Sequence, residues 1–327
     1  MWKQVLGLLL IGSIQLFSQD YGCYIPDGQT VYSEICCPAV TCPPDCALPC
    51  NPFPVLLVDI QGGIRRDSFS FSVKGPNGIP EHYLHQKYTK IKSTTGGVSA
   101  WFQMNPGWYL RGYADYANIT HGKEKQVFHN VVDALSDSYY GQAHRGYLYD
   151  FSGGFGWIFP CCFFRPFTFA AVGGYSQEGQ NIKSNKAKLR TELGDQGKVF
   201  GRHSKLRTTW TGPWAGVDLA LRYDGIKVAG TCEYHWARFR GTEDQTAGGS
   251  CSVDCDTTNK LKANGTGIVA VLSITQMFCQ HWRFGIIGKA QWWRTKDGHY
   301  SEDGTPLRLR RVHWNSGSLV ADLGYRF

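Results

Sequence analysis

The chain is poor in charge and almost free of methionine. Charged residues make up 18% of its 327 residues, and only three are Met. Acids are the scarcer sign, with 26 Asp and Glu against 34 Lys and Arg. Low charge combined with 14% aromatic residues excludes a disordered chain. Strong helix formers do not dominate, which excludes a coiled coil or helical bundle. Beyond the N-terminus no stretch reaches the ~18 consecutive apolar residues of a transmembrane helix. Glycine (39), Phe (18), Tyr (17) and Trp (11) are abundant instead. That profile suits many strands joined by turns. The length fits two ordinary domains or one large all-β domain.

The N-terminal residues 1–19 read as a secretory signal. Lys3 supplies the positive start, and Val5–Phe17 is an apolar run too short to span a bilayer. Ser18 and Gln19 depart from the small-residue rule at the cut, and a buried N-terminal helix is the alternative. Residues 20–54 form a Pro-rich segment holding Cys23, Cys36, Cys37, Cys42, Cys46 and Cys50. Its prolines exclude helix and central strand. An exported chain meets an oxidising compartment, so these cysteines are read as disulfide formers of open connectivity. The segment lacks both paired C-x-x-C units and histidine, which argues against zinc. No metal and no cofactor is expected.

From residue 55 onward, apolar and polar residues alternate. In the last segment Leu319, Ala321, Leu323, Tyr325 and Phe327 share one face, while Ser318, Asp322, Gly324 and Arg326 share the other. Period 2 defines a strand with two unlike faces. Such strands suit a soluble sandwich, with its apolar face inward, or a membrane barrel, with its apolar face toward lipid. Aromatics gathered at strand ends favour the barrel, among them Trp101, Phe102, Trp108, Tyr109, Tyr223, Phe278, Trp282, Tyr325 and Phe327. So does the strict alternation of short turns and long loops. The expected strands are 57–74, 84–104, 108–121, 142–158, 167–179, 206–222, 226–241, 260–277, 282–296 and 311–327. Long connections are expected near 75–83, 122–141, 180–205, 242–259 and 297–310. The fold class is thus an all-β, antiparallel, up-and-down transmembrane barrel of about ten strands over 55–327, behind a Cys/Pro-rich periplasmic segment.

This order of elements resembles the omptin family of outer-membrane proteases. The likeness rests on Met104-Asn105-Pro106-Gly107, on Pro213-Trp214-Ala215-Gly216-Val217 and on Leu323-Gly324-Tyr325-Arg326-Phe327. Three further stretches look like the Protochlamydia-type outer-membrane proteins of the Chlamydiae: Trp210-Thr211-Gly212-Pro213-Trp214, Glu233-Tyr234-His235-Trp236 and Val312-His313-Trp314. The resemblance implies an outer-membrane location, with termini in the periplasm and long loops outside. It also implies that Tyr325 and Phe327 form a signal read by the barrel-assembly machinery. The catalytic pattern of omptins does not carry over. Their second loop bears an Asp–Asp couple, where this chain has Asp133-Ala134-Leu135-Ser136-Asp137. Their fourth loop bears an Asp–His dyad, where this chain has Glu243-Asp244-Gln245-Thr246. Without that imidazole no base is poised near neutral pH, and an enzyme is not expected.

Several clusters remain. Arg111, Asp115, Asp218, Arg222, Glu233, His235, Lys289, Asp322 and Arg326 are expected to face the lumen as one polar network. A displaced Glu233–His235 acid–base pair is the alternative for two of them. Lys183, Lys186, Lys188, Arg190, Lys198, Arg202, Lys205 and Arg207, with Arg308, Arg310 and Arg311, load the expected third and fifth loops with positive charge. A surface location excludes nucleic acid as partner. It leaves solvated loop charge, or binding of lipopolysaccharide phosphates and other anionic glycans beside the outer-membrane lipid. Cys161, Cys162 and Cys279 fall in short turns, on the same side as the six N-terminal cysteines. All nine are expected to cross-link to other Cys-rich envelope proteins, while Cys251 and Cys255 are expected to close a loop disulfide. The expected role is structural or surface-related, with limited small-solute passage at most; an altered omptin-type endopeptidase is the alternative.

Overall fold

The computed structural model describes Cys23–Tyr24, Thr30–Val31 and residues 55–327, apart from 76–82, 105–106, 130–135, 160–166, 192–193, 199–202, 224, 247–255, 279–280 and 303. Cys23–Tyr24 pairs with Thr30–Val31 in a two-residue ladder, and residues 53–327 form a separate compact unit. That unit is a ring of ten antiparallel strands. In chain order they are Val55–Lys74, Leu84–Gln103, Trp108–His129, Ser136–Phe159, Phe167–Thr191, His203–Tyr223, Ile226–Thr246, Asp256–Phe278, Trp282–Thr295 and Thr305–Arg326. Each pairs with its neighbours in sequence, and the tenth returns to the first to close the barrel. Two short strands, Gly194–Lys198 and Gly298–Glu302, extend the loop end. Closure leaves no main strand with an open edge.

The short turns all lie at one end, here the turn end. Gly225 follows the sixth strand at φ 74°, a left-handed backbone that favours glycine. Between the second and third strands, the Gly107 carbonyl accepts the amide of Ile158, at the end of the fourth strand, at 2.7 Å.

The strands run 20 or more residues in nine cases of ten, whereas a tilted barrel strand needs only ~9–11 to cross a bilayer. The seventh strand shows how the excess is used. Ile226, Val228, Cys232, Tyr234 and Trp236 face outward from the turn end, and the same outer face continues as Arg238 and Arg240. The opposite face runs from Thr231, Glu233 and His235 into buried Ala237 and Phe239. The first strand follows the same rule. Ile60 and Ile64 give way to Arg66 outside, while Asp59, Arg65 and Asp67 give way to Phe69, Phe71 and Val73 inside. These strands are therefore apolar-out and polar-in near the turns, then charged-out and apolar-in near the loops. The first half obeys the rule for a wall facing lipid, the second the rule for a wall facing water.

In the loop half the interior contains a packed aromatic core. Trp210, Trp293 and Trp314 are fully buried with Phe69, Phe71 and Phe239. Trp210 lies 4.7 Å from Phe239 and 5.5 Å from Trp293, which stacks on Trp314 at 6.0 Å. Outside this core every strand contributes at least one exposed cation: Arg66, Lys92, Lys123, Arg145, Lys183, Arg207, Arg238, Lys262, Arg294 and Arg311. The surplus positive charge of the chain is thus arranged as a wall around the barrel.

The long connections are shorter than the sequence suggests. The third strand continues to His129, the fifth to Thr191 and the seventh to Thr246, through stretches expected to be loop. Lys183, Lys186, Lys188, Arg190, Lys205, Arg207, Arg308, Arg310 and Arg311 are strand residues rather than loop residues. The cause is the exchange of faces: above the exchange, alternation persists, but charge occupies the outer face and reads as a polar loop.

Candidate functional site

The lumen of the turn half is filled by side chains in three linked groups. Nearest the loop half, Arg65 donates to Asp67 at 3.1 Å and to Asp150 at 2.9 Å. The same Asp150 oxygen receives Lys289 at 3.0 Å and Gln291 at 3.1 Å. Lys289 also approaches Asp115 at 3.7 Å, and Gln61 donates to Asp115 at 2.8 Å. Trp314 donates its indole N–H to Asp67 at 3.0 Å, and Arg65 sits 5.5 Å from the Trp314 ring centre, so this layer is bonded to the aromatic core above it.

A second group centres on Arg111, which pairs with Asp218 at 3.2 Å and Glu233 at 2.8 Å and covers the Trp214 ring at 4.9 Å. Tyr109 and Thr231 donate to Asp218 at 2.6 and 2.8 Å. The other Glu233 oxygen lies 3.0 Å from His235 Nε2, and His235 Nδ1 lies 3.0 Å from the Ser176 hydroxyl. Nearer the turns, Arg283 bridges Asp59 at 2.6 Å and Asp322 at 3.4 Å.

Alcohol, imidazole and carboxylate in sequence make a proton relay of the kind that activates a nucleophile. Here the relay is sealed: Ser176, His235 and Glu233 are 3%, 0% and 1% exposed. A nucleophile must reach a substrate atom, and Trp293, 4.9 Å from His235, covers the loop side. The groups act chemically as mutual partners, which removes the cost of leaving charges alone in a low-dielectric interior.

Of the nine polar residues singled out in the sequence, Arg111, Asp218, Glu233 and His235 come together, Lys289 meets Asp115, and Asp322 meets Arg283. Arg222 and Arg326 face the lumen at its turn end, apart from these groups. Sequence reasoning missed Asp59, Arg65, Asp67, Asp150, Ser176 and Arg283. Parity along the strand carried a signal for them: Asp59, Arg65 and Asp67 alternate with Ile60, Ile64 and Arg66. Cys232 is an exposed free thiol on the outer apolar face. The side chains of the other cysteines, Cys251 and Cys255 included, lie outside the described residues, as do 1–19 and Asp133.

At the loop end lies a polar cleft lined by Glu124, Gln126, Tyr139, Gly141, Ser184, Asn185 and Ser204. Glu124 accepts from Gln86 at 2.9 Å, Tyr88 at 3.0 Å and Ser184. Burial, with Glu124 and Glu243 adding to it, holds the Tyr88 hydroxyl well above the usual phenol range, so it stays a donor. Glu243 is buried and Asp244 pairs with Arg207 at 2.7 Å. The stretch Glu243–Thr246 thus ends a strand rather than forming a loop.

A closed ring of antiparallel strands, wrapped in an apolar band and filled with paired charges, defines an outer-membrane β-barrel. The family described as Pom, Protochlamydia outer membrane protein, matches residues 59–327, and the chain belongs to that family. Its fold is similar to the outer membrane protease OmpT of Escherichia coli, at 12% identity and TM-score 0.67, over 84% of this chain and 97% of that one. The Pseudomonas putida toluene transporter TodX gives 7% identity and TM-score 0.32 over 84% and 89%. A Pseudomonas aeruginosa FadL homologue gives 7% and 0.27 over 83% and 90%. Curated protein sequences gave no match.

Proposed function

We propose that this protein is a closed, non-enzymatic barrel with a structural and surface role in the bacterial outer membrane. The observation that carries the reading is the filled interior. Paired charges occupy the lumen of the lipid-facing half, and packed tryptophans occupy the half beyond it. A water-filled pore needs a continuous polar lumen. In this reading the loops point outward and both termini lie in the periplasm. The basic wall meets lipopolysaccharide phosphates of the outer leaflet, since Lys and Arg arrays attract such groups. The Cys-rich segment serves as a cross-linking handle to other envelope proteins.

The test is conductance of refolded protein in planar bilayers, with peptidase assays on dibasic peptides alongside. Silent membranes and intact peptides are expected. Steady single-channel openings would overturn the closed reading. Peptide cleavage lost in H235A would revive the altered endopeptidase, the second reading, which the Ser176–His235–Glu233 relay favours.

A further inference from the structure

Arg222, Lys227 and Arg326 form a cation cluster at the turn end of the lumen that the paired groups above leave unmatched. All three lie on inward-facing positions of the sixth, seventh and tenth strands. Arg222 and Lys227 stand directly opposite each other in the antiparallel ladder. Like charges in that position repel, where an opposite pair would attract. Arg326 is near enough to Arg222 to add to the repulsion, and Arg283 to Lys227.

The carboxylates within reach are already engaged. Asp218 and Asp59 act on Lys227. Asp218, however, is held by Arg111, Tyr109 and Thr231, while Asp59 is held by Arg283 and by Ser99 at 3.1 Å. Asp322 is also committed to Arg283. Among the described residues, no hydrogen bond or ion pair reaches the side chains of Arg222, Lys227 or Arg326. A barrel that pairs its other lumen cations with such care leaves three together at one mouth.

We propose that this mouth is a binding site for an acidic polypeptide segment. Guanidinium forks of Arg222 and Arg326 take carboxylates in bidentate fashion, and Lys227 supplies a point charge between them. The cations come from separate strands, so several carboxylates along one flexible chain match them better than one compact anion. The side of the membrane on which the turns lie decides which polypeptides arrive. The segment belongs to another polypeptide that reaches the turn end.

The experiment uses full-length refolded protein and fluorescence anisotropy with a labelled hexa-aspartate peptide. The variant R222Q/K227Q/R326Q is compared with R66Q/R238Q/R294Q, which removes the same charge from the outer wall. Heat-modifiable migration checks that each variant folds, and K227Q alone serves if the triple variant does not. Binding that weakens with salt, falls at least tenfold in the mouth variant and persists in the wall variant is the expected result. Equal loss in both variants, or no loss in the mouth variant, overturns the site. Displacement by inorganic pyrophosphate at the same charge concentration as by peptide overturns the polypeptide assignment.

Discussion

Replacing Asp150 by Asn strikes the point where the lumen is most tightly tied. Its one carboxylate oxygen gathers Arg65, Lys289 and Gln291 within 3.1 Å, and the side chain is 1% exposed. The substitution leaves Arg65 with Asp67 alone and Lys289 with Asp115 at 3.7 Å. Removing one partner of a buried ion pair costs about 3–5 kcal/mol, because the remaining charge stays desolvated. The exposed pair Arg207–Asp244 provides the contrast: its side chains are 50% and 37% exposed. Water and salt screen it, so D244N should cost at most about 1 kcal/mol. Guanidinium unfolding of lipid-reconstituted protein, followed by tryptophan fluorescence, reads both. D150N should lower stability several-fold more than D244N, and K289Q added to D150N should cost less than the sum of the two. Equal effects from D150N and D244N would refute the reasoning, since they would mean that water screens the lumen as it screens the wall.

A Cβ on Gly97 would run into the Asp115 carboxylate and the Ala114 carbonyl, while one on Gly153 meets nothing within 4 Å. G97A should therefore lose about 1–3 kcal/mol on the same unfolding assay and G153A less than about 0.5; equal losses would argue against the close packing of the inner face. Phe327 is 67% exposed, lies 4.8 Å from Tyr325 and donates its amide to Leu56 at 2.9 Å. F327D should reduce the amount of folded protein in outer membranes, and normal levels on heat-modifiable gels would count against an assembly role. Burial first, then Arg311 and Arg294, holds the His313 imidazole below its usual range. The folded state then binds protons less readily than the unfolded one, so stability is lost as pH falls below about 6.5 and is unaffected above it. H313Q should flatten the decline of the unfolding midpoint between about pH 7 and pH 5; identical slopes would show that other groups set it.

The strand count and the turns were legible because period 2 is unambiguous wherever Gly and aromatics alternate with charge. Ile226–Trp236 and Leu319–Phe327 show it plainly. The loop halves were not legible, because alternation does not say which face meets lipid. At Arg238-Phe239-Arg240 the pattern is intact but its meaning has reversed. The lumen partners of the first strand were hidden for a related reason. Gly62 interrupts the apolar face between Ile60 and Ile64, and uncharged Gln61 and Gly63 fill the inner face between Asp59 and Arg65, so the parity of Asp59, Arg65 and Asp67 is hard to follow by eye. Which carboxylate meets which cation depends on positions far apart in sequence, such as Arg65 with Asp150, and no local pattern encodes that.

The exchange of faces along each strand also gives the barrel a fixed draught. Sinking toward the turn end by one residue pair would carry Arg66, Arg238 and Arg294 into hydrocarbon, at about 2–4 kcal/mol for each cation brought to mid-bilayer and less near its edge. Rising by the same step would lift Ile64, Trp236 and Trp292 into water at about 25 cal/mol per Å² of apolar surface. Both penalties are repeated from strand to strand, so they add around the circumference. The molecule is held at one height much as a hull is held at its waterline, and the loop half is carried clear of the membrane at a constant reach.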